Sequence, residues 1–166
     1  FVVVDAAALG FALTPDEAAD LAALGVRLTR AATEQLGFRH PENPVWRHIS
    51  FCLFAGPLSD RFETRHAVAI EPGKIDRSPT GTALSARLAL LHARGRIAPG
   101  QILRAQSLIG GRFEGRITGI GRLGDRPCVT PEISGRAWIT GTTQLMLDPD
   151  DPWPRGYRLS DTWPGG

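Results

Sequence analysis

Cysteine is scarce, and its placement excludes the chemistries that cysteine usually signals. Of 166 residues only two are cysteine. Cys52 lies in the strand-like run Ile49–Ala55 and Cys128 precedes Val129 in another. Neither has the spacing of a metal or redox motif, so both are expected to be free, mostly buried thiols of a cytoplasmic protein. No apolar run approaches the roughly 20 residues of a membrane-spanning helix, so no membrane partner is expected. The opening Phe1-Val2-Val3-Val4-Asp5 is too short for a signal peptide and has no basic leader. It reads as a strand entered partway, without an initiating Met, as expected of a fragment. The net charge is only +2. Basic residues are scattered, which gives nucleic-acid binding little support. There is no internal repeat and no low-complexity segment.

What is present suits one globular domain with a real core: 42% of residues are hydrophobic and 22% charged. Thr14-Pro15-Asp16-Glu17 signals a helix start, with a capping Thr, Pro in the first turn and a capping-box Glu. The helix is expected to run to about Leu36 and end at Gly37. Its apolar stripe is Ala18, Leu21, Leu24 or Gly25, Leu28, Ala32 and Leu36. Residues 38–47, with two prolines, read as a loop beside His40 and His48. Residues 49–55 suit a strand buried on both faces, and His66–Ile70 a second strand. Beyond Ala98-Pro99-Gly100 the pattern becomes β. Residues 102–108 alternate. So do 112–120, with Phe113, Ile117 and Ile120 as inward candidates, and 121–127 read as a turn region. Cys128–Thr130, Gly135–Gly141 and Gln144–Leu147 read as short strands, with Trp138 as a packing residue. Residues 148–166 are rich in Pro, Gly and Asp and read as an irregular tail. Two helices among about seven strands give an α+β domain.

The rest of the chain is organised around Asp76-Arg77-Ser78-Pro79-Thr80-Gly81-Thr82. Pro79 and Gly81 break regular structure on either side of Thr80. The Ala- and Leu-rich helix that follows has Leu84, Leu88 and Leu91 on one face, and Gly95 stands where a C-terminal cap would fall. It is apolar nearly all round, as a central helix would be. The loop therefore ends at a helix N-terminus, where unpaired amides and the dipole attract anions. The amides of Gly81 and Thr82 suit a carboxylate, and Asp76 suits an ammonium. Together they describe an amino or imino acid. A simple Gly/Pro turn with a polar helix cap fits the local pattern as well.

The stretch from Asp76 to Thr82, with Ser85-Ala86-Arg87-Leu88-Ala89-Leu90-Leu91-His92-Ala93-Arg94-Gly95, resembles the second active-site segment of the proline racemase family. That family also contains hydroxyproline epimerases and trans-3-hydroxy-L-proline dehydratases. Ile49-Ser50-Phe51, Gly56-Pro57, Ile109-Gly110, Phe113-Glu114-Gly115 and Pro131–Ala137 agree with it. Asp148-Pro149-Asp150-Asp151-Pro152 followed by Gly156 resembles the family's ending. The resemblance covers nearly the whole chain. It implies a diaminopimelate epimerase-like lobe, a curled and mostly antiparallel sheet around a central helix over 82–94. Members have two such lobes with the substrate between them. The first active-site segment, of Met-Cys-Gly-His type, is not found here. The chain thus looks like the C-terminal half, with residues 1–147 as its lobe and 148–166 packing on the other lobe.

The resemblance further implies cofactor-free and metal-free chemistry at the α-carbon of hydroxyproline or proline. Racemases and epimerases set one cysteine on each face of that carbon, and the second cysteine's position is Thr80 here. A hydroxyl cannot serve as a thiolate near neutral pH. Thr at this position is the pattern of trans-3-hydroxy-L-proline dehydratases. Thr80 is then the catalytic candidate, and Asp76, Gly81 and Thr82 the substrate-binding ones. An epimerase or racemase that tolerates Thr80, and a non-catalytic imino-acid-binding half-protein, stay open. So does a homodimer.

Overall fold

The apolar runs at 49–55 and 63–70 form the middle of a seven-stranded sheet. The computed structural model describes residues 1–157 and 159. The strands are β1 (Val2–Asp5), β2 (Phe51–Ala55), β3 (Glu63–Ile70), β4 (Lys74–Ile75), β5 (Leu103–Gln106), β6 (Arg112–Leu123) and β7 (Arg126–Gly135). They pair in the order β1-β2-β3-β5-β6-β7, and β4 adds to β3. The β1–β2 and β3–β5 pairs are parallel and the others antiparallel.

Alternation along the central strands sends side chains to two cores. On one face Cys52, Phe54, Ala67 and Ala69 pack with Leu21 of helix α1 (Ala18–Gln35). On the other, Leu53, Ala55 and Val68 pack with Ala83 of helix α2 (Gly81–Ala93). One side of α2 then continues into a third cluster, where Leu84, Leu88 and Leu91 meet Leu103, Ala105 and Ile117. The sheet therefore curls around α2 as around a post. Cutting any of these three buried leucines to Ala would cost about 2–5 kcal/mol. Two glycines permit the close approach. A Cβ on Gly25 would collide with the Cβ of Ala69, and one on Gly115 would lie 2.9 Å from Ile133 and 3.0 Å from Leu88.

Several expectations need correction. Leu36, placed on the α1 stripe, is 79% exposed because the helix ends at Gln35. Ile120 is 60% exposed. It lies past the register shift between Ile117 and Gly119, paired with Val129, whereas Phe113 and Ile117 pack in the cluster of Leu84, Leu88 and Leu91 of α2. Residues 121–127 are mostly strand: β6 and β7 form one long hairpin turning at Gly124, whose φ is +58°. Residues 136–147 form no strand, and Trp138 is 71% exposed.

By Cα packing the chain divides into two units, Phe1–Arg136 and Ala137–Gly166. The first holds every helix and strand among the described residues. The second, as far as it is described, is irregular, with Asx-type turns in which Asp148 and Asp151 accept from the N–H groups of Asp150 and Trp153. The end of the expected tail, including Trp163, lies outside the described residues. No helix is long and apolar enough to cross a membrane among the described residues.

Candidate active site

The loop before α2 is built from its own polar side chains. The N–H of Asp76 donates to the Val68 carbonyl at 3.0 Å, which ties the loop to β3. Asp76 then folds the chain over its carboxylate. Oδ1 accepts from the Ser78 N–H at 2.8 Å, and Oδ2 accepts from the Thr80 hydroxyl at 2.6 Å. Ser78 Oγ in turn accepts from the Thr80 N–H at 3.0 Å. Burial raises the Asp76 pKa. The bonds from Thr80 and Ser78, with the charge of Lys74, outweigh that effect and leave it below the usual carboxylate value. Asp76 is therefore an anion at neutral pH, and its oxygens retain lone pairs for a further donor.

Thr80 has φ +61° and ψ 110°. A β-branched residue at positive φ is strained by about 1–3 kcal/mol. Its hydroxyl hydrogen is committed to Asp76, so toward a ligand the oxygen is an acceptor. The first helical bond runs from the Leu84 N–H to the Thr80 carbonyl at 2.9 Å. The preceding amides of Gly81 and Thr82 have no partner within the helix. Asp76, Thr80 and Gly81 are half-buried and Thr82 is exposed. The four residues singled out in the sequence thus share one loop and helix start, with a carboxylate, a hydroxyl and two helix-end amides together. A cavity of about 720 Å³, lined in part by Phe11, Leu13, Arg65 and Arg104, does not include this loop. The loop's chemistry, rather than cavity size, marks the site.

Two supporting residues escaped the sequence reading. His66, on β3, is fully buried, and its Nδ1–H donates to the Pro79 carbonyl at a long 3.4 Å. Burial drives its pKa down to about 4, with the Pro79 bond opposing and the Arg87 charge assisting, so the ring is neutral. Its Nε2 has no partner. Arg87, on α2, is only 8% exposed and its Nε is also unpartnered. A single charge on an otherwise apolar helix face was the available signal. Neither cysteine belongs to the loop. Cys52 packs beneath α1, where burial pushes its thiol up to about 12, and Cys128 pairs with Gly121 in the β6–β7 hairpin.

A family profile described as proline racemase matches residues 1–158. The chain belongs to the proline racemase family. Among solved structures it is similar to a hydroxyproline epimerase from Agrobacterium vitis, with bound trans-4-hydroxy-L-proline. There the TM-score is 0.79 and the identity 34%, over 97% of this chain and 46% of that one. It is also similar to a probable proline racemase from Agrobacterium radiobacter K84, with bound carbonate. The TM-score is 0.78 and the identity 33%, over 97% of this chain and 47% of that one. The fold is the α+β, diaminopimelate epimerase-like architecture of this family, with an open sheet rather than a closed barrel. The chain spans about half the length of these structures.

Proposed function

We propose that this chain supplies one wall of the active site of a cofactor-independent trans-3-hydroxy-L-proline dehydratase. Asp76 holds the ring nitrogen, and the amides of Gly81 and Thr82 hold the carboxylate. A thiolate from outside these 166 residues takes the α-proton. Charge developing in the carboxylate is stabilised by the helix-end amides. The C3–O bond then breaks and the hydroxyl leaves as water, protonated by the thiol that took the α-proton, which is thereby returned to thiolate, while the electron pair of the former Cα–H bond forms the C2–C3 double bond. The resulting enamine tautomerises to pyrroline-2-carboxylate.

The observation that carries this reading is the Thr80 hydroxyl, bonded to Asp76 at 2.6 Å, at the position to which the family resemblance assigns the second thiol of two-base members. Thr80 can accept a hydrogen bond from the substrate, but it cannot hold or return a proton as a thiolate does. The competing reading is 2-epimerisation of 4-hydroxyproline, favoured by the likeness to the Agrobacterium vitis epimerase. The test is to incubate the full-length protein separately with trans-3-hydroxy-L-proline, trans-4-hydroxy-L-proline and L-proline and follow products by NMR. Pyrroline-2-carboxylate from the first alone is expected. Epimers of the other two would replace this reading with epimerase or racemase. The 166-residue chain by itself is expected to be inactive.

A further inference from the structure

Away from the loop, a cavity of about 210 Å³ lies between β1, the end of β2 and the C-terminal half of α2. Arg87, Arg94 and Arg96 line it, with Leu90 and Pro57 as apolar walls and Asp5 as the one carboxylate. Among the described residues none of the three arginines forms a salt bridge. Asp5 is already engaged, its Oδ1 accepting from the N–H groups of Ala7 and Ala8 at 3.0 and 3.3 Å.

Basic residues at a helix C-terminus ordinarily answer the negative end of the dipole. That accounts for the exposed Arg94 and Arg96. It does not account for Arg87, two turns from that end, 8% exposed and with an unpartnered Nε. Burial, Arg96 and Arg94, in that order, disfavour its charge, and only Asp5 supports it. The dipole is worth about half a charge. With Asp5 it leaves three guanidinium groups under-compensated, so the cavity is net positive. Guanidinium is planar and many-donored, which suits a tetrahedral or planar oxyanion. The volume holds a phosphate group with some water but not a nucleotide.

We propose that the cavity walled by Arg87, Arg94 and Arg96 binds a phosphate-class oxyanion, free or as a small phosphomonoester, at a site separate from the imino-acid loop. Arg94 caps the C-terminus of the 13-residue α2, about 20 Å along the helix from Gly81. Occupancy would therefore stabilise the lobe without competing for the loop.

The experiment titrates inorganic phosphate, and separately phosphoethanolamine, into the full-length protein by calorimetry. Sodium chloride holds ionic strength constant, and thermal shift is read in parallel. Saturable binding with a raised Tm is expected, weakened at least tenfold in the double variant Arg94→Gln/Arg96→Gln. Both substituted side chains are exposed, so the fold should survive. Asp76→Ala should leave phosphate affinity unchanged. Binding of phosphate alone would assign the free ion, and binding of both the phosphoryl group. Absence of saturable binding, or equal affinity in the double variant, would overturn the proposal. Loss of affinity in Asp76→Ala would move the anion to the loop and overturn it as well.

Discussion

The two helices of this lobe begin in opposite ways. At α1 the chain satisfies itself. The Glu17 carboxylate accepts from the Thr14 N–H at 2.8 Å and the Ala12 N–H at 3.0 Å, and those bonds, the Thr14 one first, hold its pKa below the ordinary glutamate value. At α2 the acidic residue stands four positions upstream of Thr80 and serves the loop instead. No carboxylate of the chain reaches the Gly81 or Thr82 amides among the described residues. Thr80 is held at positive φ, whereas the short 3-10 turn Pro15–Glu17 that runs into α1 begins from an extended Thr14 at φ −105°. The α1 start closes its own hydrogen bonds, and its residue at positive φ, the buried Leu13 at φ +61°, stands before the cap. At α2 the positive φ falls on the capping residue Thr80 itself, and the Gly81 and Thr82 amides are left for the anion that the proposed function places there.

The largest effect should come from removing the α2 carboxylate. Asp76→Ala in the full-length protein loses both the loop's internal bonds and the proposed partner for the ring nitrogen. A fall of kcat/KM of about 100-fold or more is expected. A loss under about tenfold would reduce Asp76 to a loop staple. Next, Thr80→Cys replaces a hydroxyl by a titratable thiol at a helix start, where thiolates are favoured. Dehydration should drop about tenfold and 2-epimerisation of trans-4-hydroxy-L-proline should appear. An inactive variant that still folds would contradict the role given to this position.

Third comes acid stability. His66 beneath the α2 loop is neutral when folded, with a pKa of about 4 against the ordinary histidine value of 6.5. Between those values the unfolded chain binds more protons, so stability rises with pH across that window and is lost as pH falls through it. The span corresponds to a loss on the order of 3 kcal/mol. Denaturant melts from pH 7 to 4 should show it, and His66→Leu should flatten it. An unchanged slope in that variant would remove His66 from the account. The smallest effect is at α1: Glu17→Gln should lower Tm slightly and leave kcat/KM unaltered. A change in kcat/KM would break the contrast between the two helix starts.

The sequence was most legible where chemistry is local. Thr14–Glu17 start a 3-10 turn that runs into α1 at Ala18, α1 ends at Gln35 just before Gly37, and the Leu84, Leu88 and Leu91 face is buried as expected. The loop could be placed because Pro79 and Gly81 break regular structure locally and because Asp76, Ser78 and Thr80 bond to one another within five residues. Gly121, Gly124 and Pro127 signal turns and so divide the β6–β7 hairpin in the sequence, whereas cross-strand pairing holds a strand through Gly121 and Pro127. The strand β4, two residues long, gave no periodic signal. His66 and Arg87 were passed over because burial of a polar group is a property of tertiary packing, to which a local window is blind. The same holds for the positive φ of Thr80, which only the finished loop imposes.

The central claim is that a proton can be moved on one face of the α-carbon only. It is tested most directly by incubating the full-length protein in D2O with trans-4-hydroxy-L-proline, which has no 3-hydroxyl to lose. One base predicts exchange of the α-hydrogen for deuterium with retention, so the substrate gains mass while its NMR couplings stay those of the trans isomer. Deuterated 2-epimer accumulating at a rate comparable to that of Thr80→Cys would mean that a second base acts opposite the first, and the account built on Thr80 would be wrong.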